Sequence, residues 1–311
     1  MSLRIGTRGS ALALVQAGAV AAALRESGAP VEIVPMRTEG DRRLGARLAD
    51  VGGKGLFVRE IEEALLAERV DVAVHSLKDL PAEVPGGLVL AAFPPREDPA
   101  DVLVTPGGGG LGDLPAGSRV GTASLRRQAM ILAARPDLSV VTMRGNVDTR
   151  LGKLAAGACD ALVLAAAGLR RLGVTPAHAH TLDVETFVPA VGQGIIAVEI
   201  RDGDAATAAL VARLDDPDTH ACARAERAYL RRLGASCNTP MAAHARLDRS
   251  DGRPRLRMTA MVASEDGRHV LRADAAGAPA EADALGQGLA ELLLERGAEG
   301  VTALQPLRGS R

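Results

Sequence analysis

The sequence predicts an α/β protein: two α/β domains joined by a double crossover, with a small C-terminal α+β domain carrying an antiparallel sheet. Three observations lead there. Short β-branched runs alternate with Ala- and Leu-rich helical stretches from Leu3 to Leu164, the pattern of βαβ units. The stiff, strand-breaking Pro94–Pro99 segment and the later Phe187–Gly194 segment each interrupt that alternation, as crossings between domains would. After Pro240 strands follow one another directly and a single long helix comes last. The implied domains are 1–94 with 195–214, then 100–189, then 217–311.

In chain order, Leu3–Gly6 reads as a strand. Thr7–Ser10 turns into a helix over Ala11–Arg25, which Ser10 caps. A second strand spans Val31–Met36, a helix Phe57–Glu68, and a short buried strand Val70–Val74 that His75 ends. Leu88–Phe93 closes this group. Beyond the first crossover, strands are expected at Asp101–Thr105, Arg119–Gly121, Leu138–Met143 and Asp160–Leu164. Helices run to Arg135 and from Asn146, their cap, to Ala156. Ile195–Ile200 is a strand that rejoins the first sheet, followed by helices over Asp204–Leu214 and Asp218–Leu233. The last domain reads as strands Met241–Leu247, Arg255–Ala263 and Arg268–Ala273 and a helix over Ala280–Arg296.

Composition narrows the function classes. With 311 residues, 47% apolar and 24% charged, the chain has an ordinary globular balance. A net charge of −1 argues against a globally basic nucleic-acid binder. No run is long enough to span a membrane, and the N-terminus enters the first strand without a signal peptide, so a cytoplasmic protein is expected. Three cysteines without C-x-x-C spacing argue against a disulfide framework. His178 and His180, the one close histidine pair, read as a solvated loop, and no metal site is expected.

The charge is skewed in a telling way: only Lys54, Lys78 and Lys153 among 37 basic residues are lysines. Arg8, Lys78, Arg126, Arg127, Arg144 and Arg171 fall in strand-to-helix turns, and Arg150 lies one turn into its helix. Strand carboxyl ends are where open α/β sheets bind ligands, so facing sheets would line a cleft with guanidinium groups. That suits a ligand with several carboxylates or phosphates. Ser10 leaves a helix N-terminus beside Arg8, a second device for anions. His75-Ser76-Leu77-Lys78-Asp79 places a carboxylate among these cations. Gly52-Gly53-Lys54-Gly55 lacks the order of a phosphate-binding loop and reads as a flap carrying Lys54 and Phe57. Cys159 and Cys222 read as packed thiols, whereas Cys237 lies in a Gly/Ser/Asn/Pro loop where sulfur can be reactive.

Taken together, Arg4–Ser10, Val51–Phe57, His75–Pro81, Gly121–Arg127, Arg144–Arg150, Pro189–Gly194 and the Cys237 loop closely resemble the porphobilinogen deaminase family. The resemblance covers nearly the whole chain and weakens after about Leu247. It implies two periplasmic-binding-protein-like domains and a monomeric enzyme that condenses four porphobilinogens into a linear tetrapyrrole with loss of ammonia. It further implies a dipyrromethane cofactor in thioether linkage to Cys237, and Asp79 as the catalytic carboxylate. Arg8, Ser10, Lys54, Phe57, Ser76, Lys78, Thr122, Ser124, Arg126, Arg127, Arg144, Gly145, Arg150, Arg171 and Gln193 would bind cofactor and growing chain. Ala123 stands where a serine is common in the family, and Asp50 where some members have lysine. A non-enzymatic small-anion binder of the same two-domain architecture is the alternative.

Overall fold

Residues 2–26, 28–38, 58–234, 239–250 and 252–304 are described by a computed structural model, and their strands form two five-stranded sheets and one three-stranded sheet. The chain divides into two units, residues 1–97 with 194–220 and residues 98–193 with 221–311.

The first unit contains β1 (Leu3–Arg8), β2 (Val31–Met36), β3 (Val72–Ser76), β4 (Leu88–Ala92) and β10 (Ile196–Arg201), in the sheet order β2-β1-β3-β10-β4. β1 pairs in parallel with β2 and β3, whereas β10 runs antiparallel to both its neighbours. The helix Ala11–Glu26 buries Gln16, Ala17, Val20, Ala21 and Leu24, a stripe with helical spacing. It covers one face of the sheet, over Ile5, Val72, Val74, Val198 and Ile200. The helix Arg59–Leu66 lays Ile61, Ala64 and Leu65 together with Ala73 and Leu88 in a second buried cluster.

The second unit repeats that plan. β5 (Asp101–Val104), β6 (Arg119–Gly121), β7 (Ser139–Val141), β8 (Ala161–Ala165) and β9 (Ala179–Thr181) take the order β7-β6-β8-β5-β9. Here β5 is the antiparallel strand. The two sheets are thus mixed rather than purely parallel. In each, the reversed strand is the one that follows a crossover directly, with no helix before it to turn the chain back. Strands β11 (Met241–Asp248), β12 (Arg255–Ala263) and β13 (Val270–Gly277) form the antiparallel sheet, and the helix Ala282–Glu295 shares their core around Tyr229, Leu256 and Leu293. This is the α/β-plus-α+β architecture the sequence predicts.

Several local outcomes differ from expectation: β1 runs on through Thr7 and Arg8 beside β2, and Arg126, Arg127 and Arg171, expected in strand-to-helix turns, lie within helices. β3 continues through His75 and Ser76, because both pair with β10 at Ala197 and Ile196. His180, expected in a loop with His178, lies instead in edge strand β9 on β5, while His178 precedes the strand. β13 begins later and runs four residues further than expected, its register set by full pairing along β12. At the start of the return segment, Gly194 has φ +87 and its carbonyl accepts from the Glu97 N–H at 3.1 Å. A Cβ there would stand 2.2 Å from the Glu97 oxygen, so only glycine fits where the two crossing segments meet.

Candidate active site

The first unit gathers a polar pocket of about 50 Å³ at the carboxyl ends of β1 and β3. Arg8, Ser10, Gln16, His75, Ser76 and Asp79 line it. Ser10 Oγ accepts from the Ala13 N–H at 3.3 Å and so caps the helix Ala11–Glu26. The dipole end of that helix therefore opens beside Arg8. The strand stops after Ser76, and Leu77–Asp79 forms one 3₁₀ turn, with buried Leu77 as its anchor. That turn leaves Asp79 exposed and Lys78 half-buried. Gln16 and Ser76 exchange hydrogen bonds, with Gln16 Nε2 donating to Ser76 Oγ at 2.9 Å and the hydroxyl donating back to Oε1 at 3.1 Å.

In the second unit the turns after β6 and β7 carry the expected donors. Ser124 caps the helix Leu125–Ala134 by accepting from the Arg127 N–H, and the Ser124 N–H donates to Thr122 Oγ1 at 3.1 Å. Asn146 caps the helix Val147–Ala155, its Oδ1 accepting from the Thr149 N–H at 2.8 Å. Gly145, at φ +116, makes the turn that separates Arg144 from that cap. Arg150 Nε donates to the Gly145 carbonyl at 2.8 Å, which ties the arginine to its own turn. Arg144, Arg150 and Arg171 are all half-buried.

Arg126, Arg127 and Gln193, expected as ligand contacts, are bonded within the fold. Asp101 is wholly buried at the start of β5, where it accepts from Arg126 Nη2 at 2.7 Å, Arg127 Nη2 at 2.7 Å and Gln193 Nε2 at 2.9 Å. Arg126 also donates to the Val188 carbonyl and Arg127 to that of Val163. Burial alone would raise the Asp101 carboxyl, but the two guanidiniums outweigh it and hold it well below the carboxylate range. The cluster fastens the head of the helix Leu125–Ala134 to β5 and β8, and so fixes the turn that bears Thr122 and Ser124.

Lys54, Phe57, Asp50 and Cys237 lie outside the described residues. Cys159 and Cys222 are buried, as packed thiols should be, and burial pushes the Cys159 thiol up. Among the described residues no group of side chains could hold a metal ion, and no helix is long and apolar enough to cross a membrane. Sequence reasoning missed Gln16, Asp101 and the buried pair His75–Glu199. Each carried a faint signal: Gln16 is the one polar side chain inside an apolar helix, and Glu199 and Asp101 are lone acids in apolar strands.

A family model described as "Porphobilinogen deaminase, dipyromethane cofactor binding domain" matches residues 3–209, and its companion, "Porphobilinogen deaminase, C-terminal domain", matches residues 220–295. The porphobilinogen deaminase of Syntrophobacter fumaroxidans is 51% identical over 95% of this chain and 95% of its own. That of Syntrophotalea carbinolica is 50% identical over 97% and 95%. Among solved structures the chain is similar to the methionine-binding protein MetQ, with 14% identity, 68% and 89% of the two chains covered, and a TM-score of 0.44.

Proposed function

Because the chain belongs to the porphobilinogen deaminase family, we propose that it condenses porphobilinogen head to tail into hydroxymethylbilane, releasing ammonia, with Asp79 as catalytic carboxylate. It is a transferase of tetrapyrrole biosynthesis. The observation that carries this reading is the placement of Asp79 in one pocket with Arg8 and the Ser10-capped helix end. An aminomethylpyrrole bearing acetate and propionate needs a negative group near its reacting end and positive groups near its carboxylates. That pocket offers both.

The donor set also fits a dipyrromethane. Each unit by itself presents cationic and hydroxyl groups of the kind that hold pyrrole carboxylates, Arg8 and Ser10 in the first and Ser124, Arg144 and Arg150 in the second. When bound, the dipyrromethane supplies the free pyrrole carbon at which condensation starts, and we assign its attachment to Cys237. Lys54, Phe57, Ser76, Lys78, Thr122 and Arg171 complete the binding set we propose. Arg126, Arg127 and Gln193 act there by holding the second unit's turn in place. We assign the protein to the cytoplasm, as a monomer.

Asp79 then has two tasks. As the C–N bond of the incoming porphobilinogen breaks and ammonia departs, positive charge develops across the pyrrole and its methylene carbon. A fixed carboxylate lowers the energy of that charge. Once the new C–C bond has formed, the ring carbon must lose a proton. The aminomethyl group leaves from its protonated form as neutral ammonia, so Asp79 needs only to accept the later ring proton and release it to solvent, and the carboxylate ends each cycle ionised. Purified protein should consume porphobilinogen and release one ammonia per pyrrole added. Absence of that turnover in protein whose Cys237 carries a dipyrromethane would sink the reading.

A further inference from the structure

Behind the Asp79 pocket lies a second group of ionisable side chains that the reaction above does not use. His75 lines the pocket, yet its side chain is only 3% exposed and its Nε2 lies 3.0 Å from Glu199 Oε2, on a side chain that is 0% exposed. The register explains the pairing. Ala197 stands opposite His75 and Glu199 opposite Ala73, so Glu199 shares the sheet face of His75, two residues along. The helix Arg59–Leu66 covers that face and presents Glu62, which is itself 7% exposed. Glu62 Oε1 and Glu199 Oε1, both buried, have no hydrogen-bond partner among the described residues.

A buried, unpartnered carboxylate oxygen is expensive if the group is charged and tolerable if the group holds a proton. The surroundings of Glu62 favour the proton. Burial pushes its carboxyl up to about 7, the Glu199 charge adds to the rise, and His75 and Arg59 oppose it while Glu63 reinforces it. Of the other charged groups on elements packed against this helix, Arg201 of β10 donates to the Leu65 carbonyl and is paired with Asp71 and Asp204, Arg4 of β1 is bound to Asp71, and Arg8 faces the Asp79 pocket; β4 has no titratable side chain.

Resting on the functional reading above, we propose that His75 is a positioning residue for Asp79: Glu199 fixes its ring, and Glu62 holds the proton that lets two carboxylates share the space behind it. With Nε2–H donated to Glu199, the ring is locked in one tautomer and orientation. It thereby pins the end of β3, from which the Leu77–Asp79 turn springs. Ionising Glu62 puts a second negative charge beside Glu199, and the ring and strand end must adjust. Asp79 then loses its alignment while the arginines that anchor the substrate carboxylates stay in place. The effect therefore falls on kcat more than on KM.

The test compares wild type, Glu62→Gln and Glu199→Gln, each purified with its dipyrromethane, in porphobilinogen turnover from pH 6 to 9. Glu62→Gln copies the protonated carboxyl at every pH. It should match wild type at pH 6 within about twofold and retain several-fold more kcat at pH 8.5. Glu199→Gln should lose about tenfold or more in kcat at all pH values with KM within about twofold. Thermal melting without substrate provides a readout independent of activity. Glu62→Gln should melt with wild type at pH 4, below the ordinary glutamate value of 4.5, and above it at pH 8, because the stability tied to the wild-type proton is lost progressively as pH rises from 4.5 to about 7. Wild type that fails to turn over would overturn the functional reading, yet the melting curves would still judge the shared proton. Identical pH profiles and parallel melting curves in wild type and Glu62→Gln would overturn the proposal. So would a Glu199→Gln loss that divides evenly between kcat and KM and tracks its melting temperature.

Discussion

Asp79 is exposed on a single turn whose anchor is Leu77, so its replacement tests chemistry with little disturbance of packing. Asp79→Ala removes both charge and proton acceptor and should lower kcat by about 10²- to 10⁴-fold, with melting temperature unchanged. Asp79→Glu keeps the charge but moves it by about one methylene, and should still lose about 10²-fold. Asp101 is the opposite case. Asp101→Asn leaves Arg126 and Arg127 buried without their carboxylate, at a cost of about 3–5 kcal/mol in stability, read by denaturant unfolding. The carboxyl sits low in the folded state, so the stability it contributes is complete above its ordinary value of 3.8 and is lost as pH falls below it. These two aspartates also mark what sequence can reveal. The exposed position of Asp79 is readable from the polar residues that follow an apolar strand, whereas the catalytic role proposed for it comes from the family likeness. Asp101 and Glu199 were not legible, because a lone acid in an apolar strand has the same local pattern whether its partners are water or a guanidinium from elsewhere in the chain.

At the level of elements, the turns set the aim of Arg144 and Arg150, which we propose bind the ligand. Gly145 shows how tightly: a Cβ at that position would lie 2.7 Å from Thr149 Cγ2, on a backbone with φ +116. Gly145→Ala should therefore cost about 1–3 kcal/mol in stability, and the displaced Arg144 should raise KM for porphobilinogen more than it lowers kcat. Element type was largely readable, because periods of 2 and 3.6 residues separate strand from helix in these Ala-, Leu- and Val-rich stretches. Strand direction and strand ends were not. β5 and β10 owe their antiparallel course to the crossovers that precede them, and His75 and Ser76 join β3 only because β10 is there to pair with them. β9 escaped notice for the same reason, since its exposed Ala-His-Thr sequence has no apolar face and takes its shape from β5.

For the molecule as a whole, a net charge near zero conceals an uneven distribution, with Arg8 at the end of β1, Thr122 and Ser124 after β6 and Arg144 after β7. The segments around them carry the motifs by which the family was legible from sequence, and the family models match residues 3–209 and 220–295. The Cys237 loop stands apart. It lies outside the described residues, and its assignment rests on the family likeness and on loop chemistry that favours a reactive thiol. That thiol is proposed to carry the polymerising chain, and the intact mass of freshly purified protein, measured beside Cys237→Ser, decides whether it does. Wild type should exceed its sequence mass by two porphobilinogen units less two ammonias, and should gain further single-pyrrole increments when porphobilinogen is added. The serine variant should show none of these. A wild-type chain at its bare sequence mass, unchanged by porphobilinogen, would contradict the account.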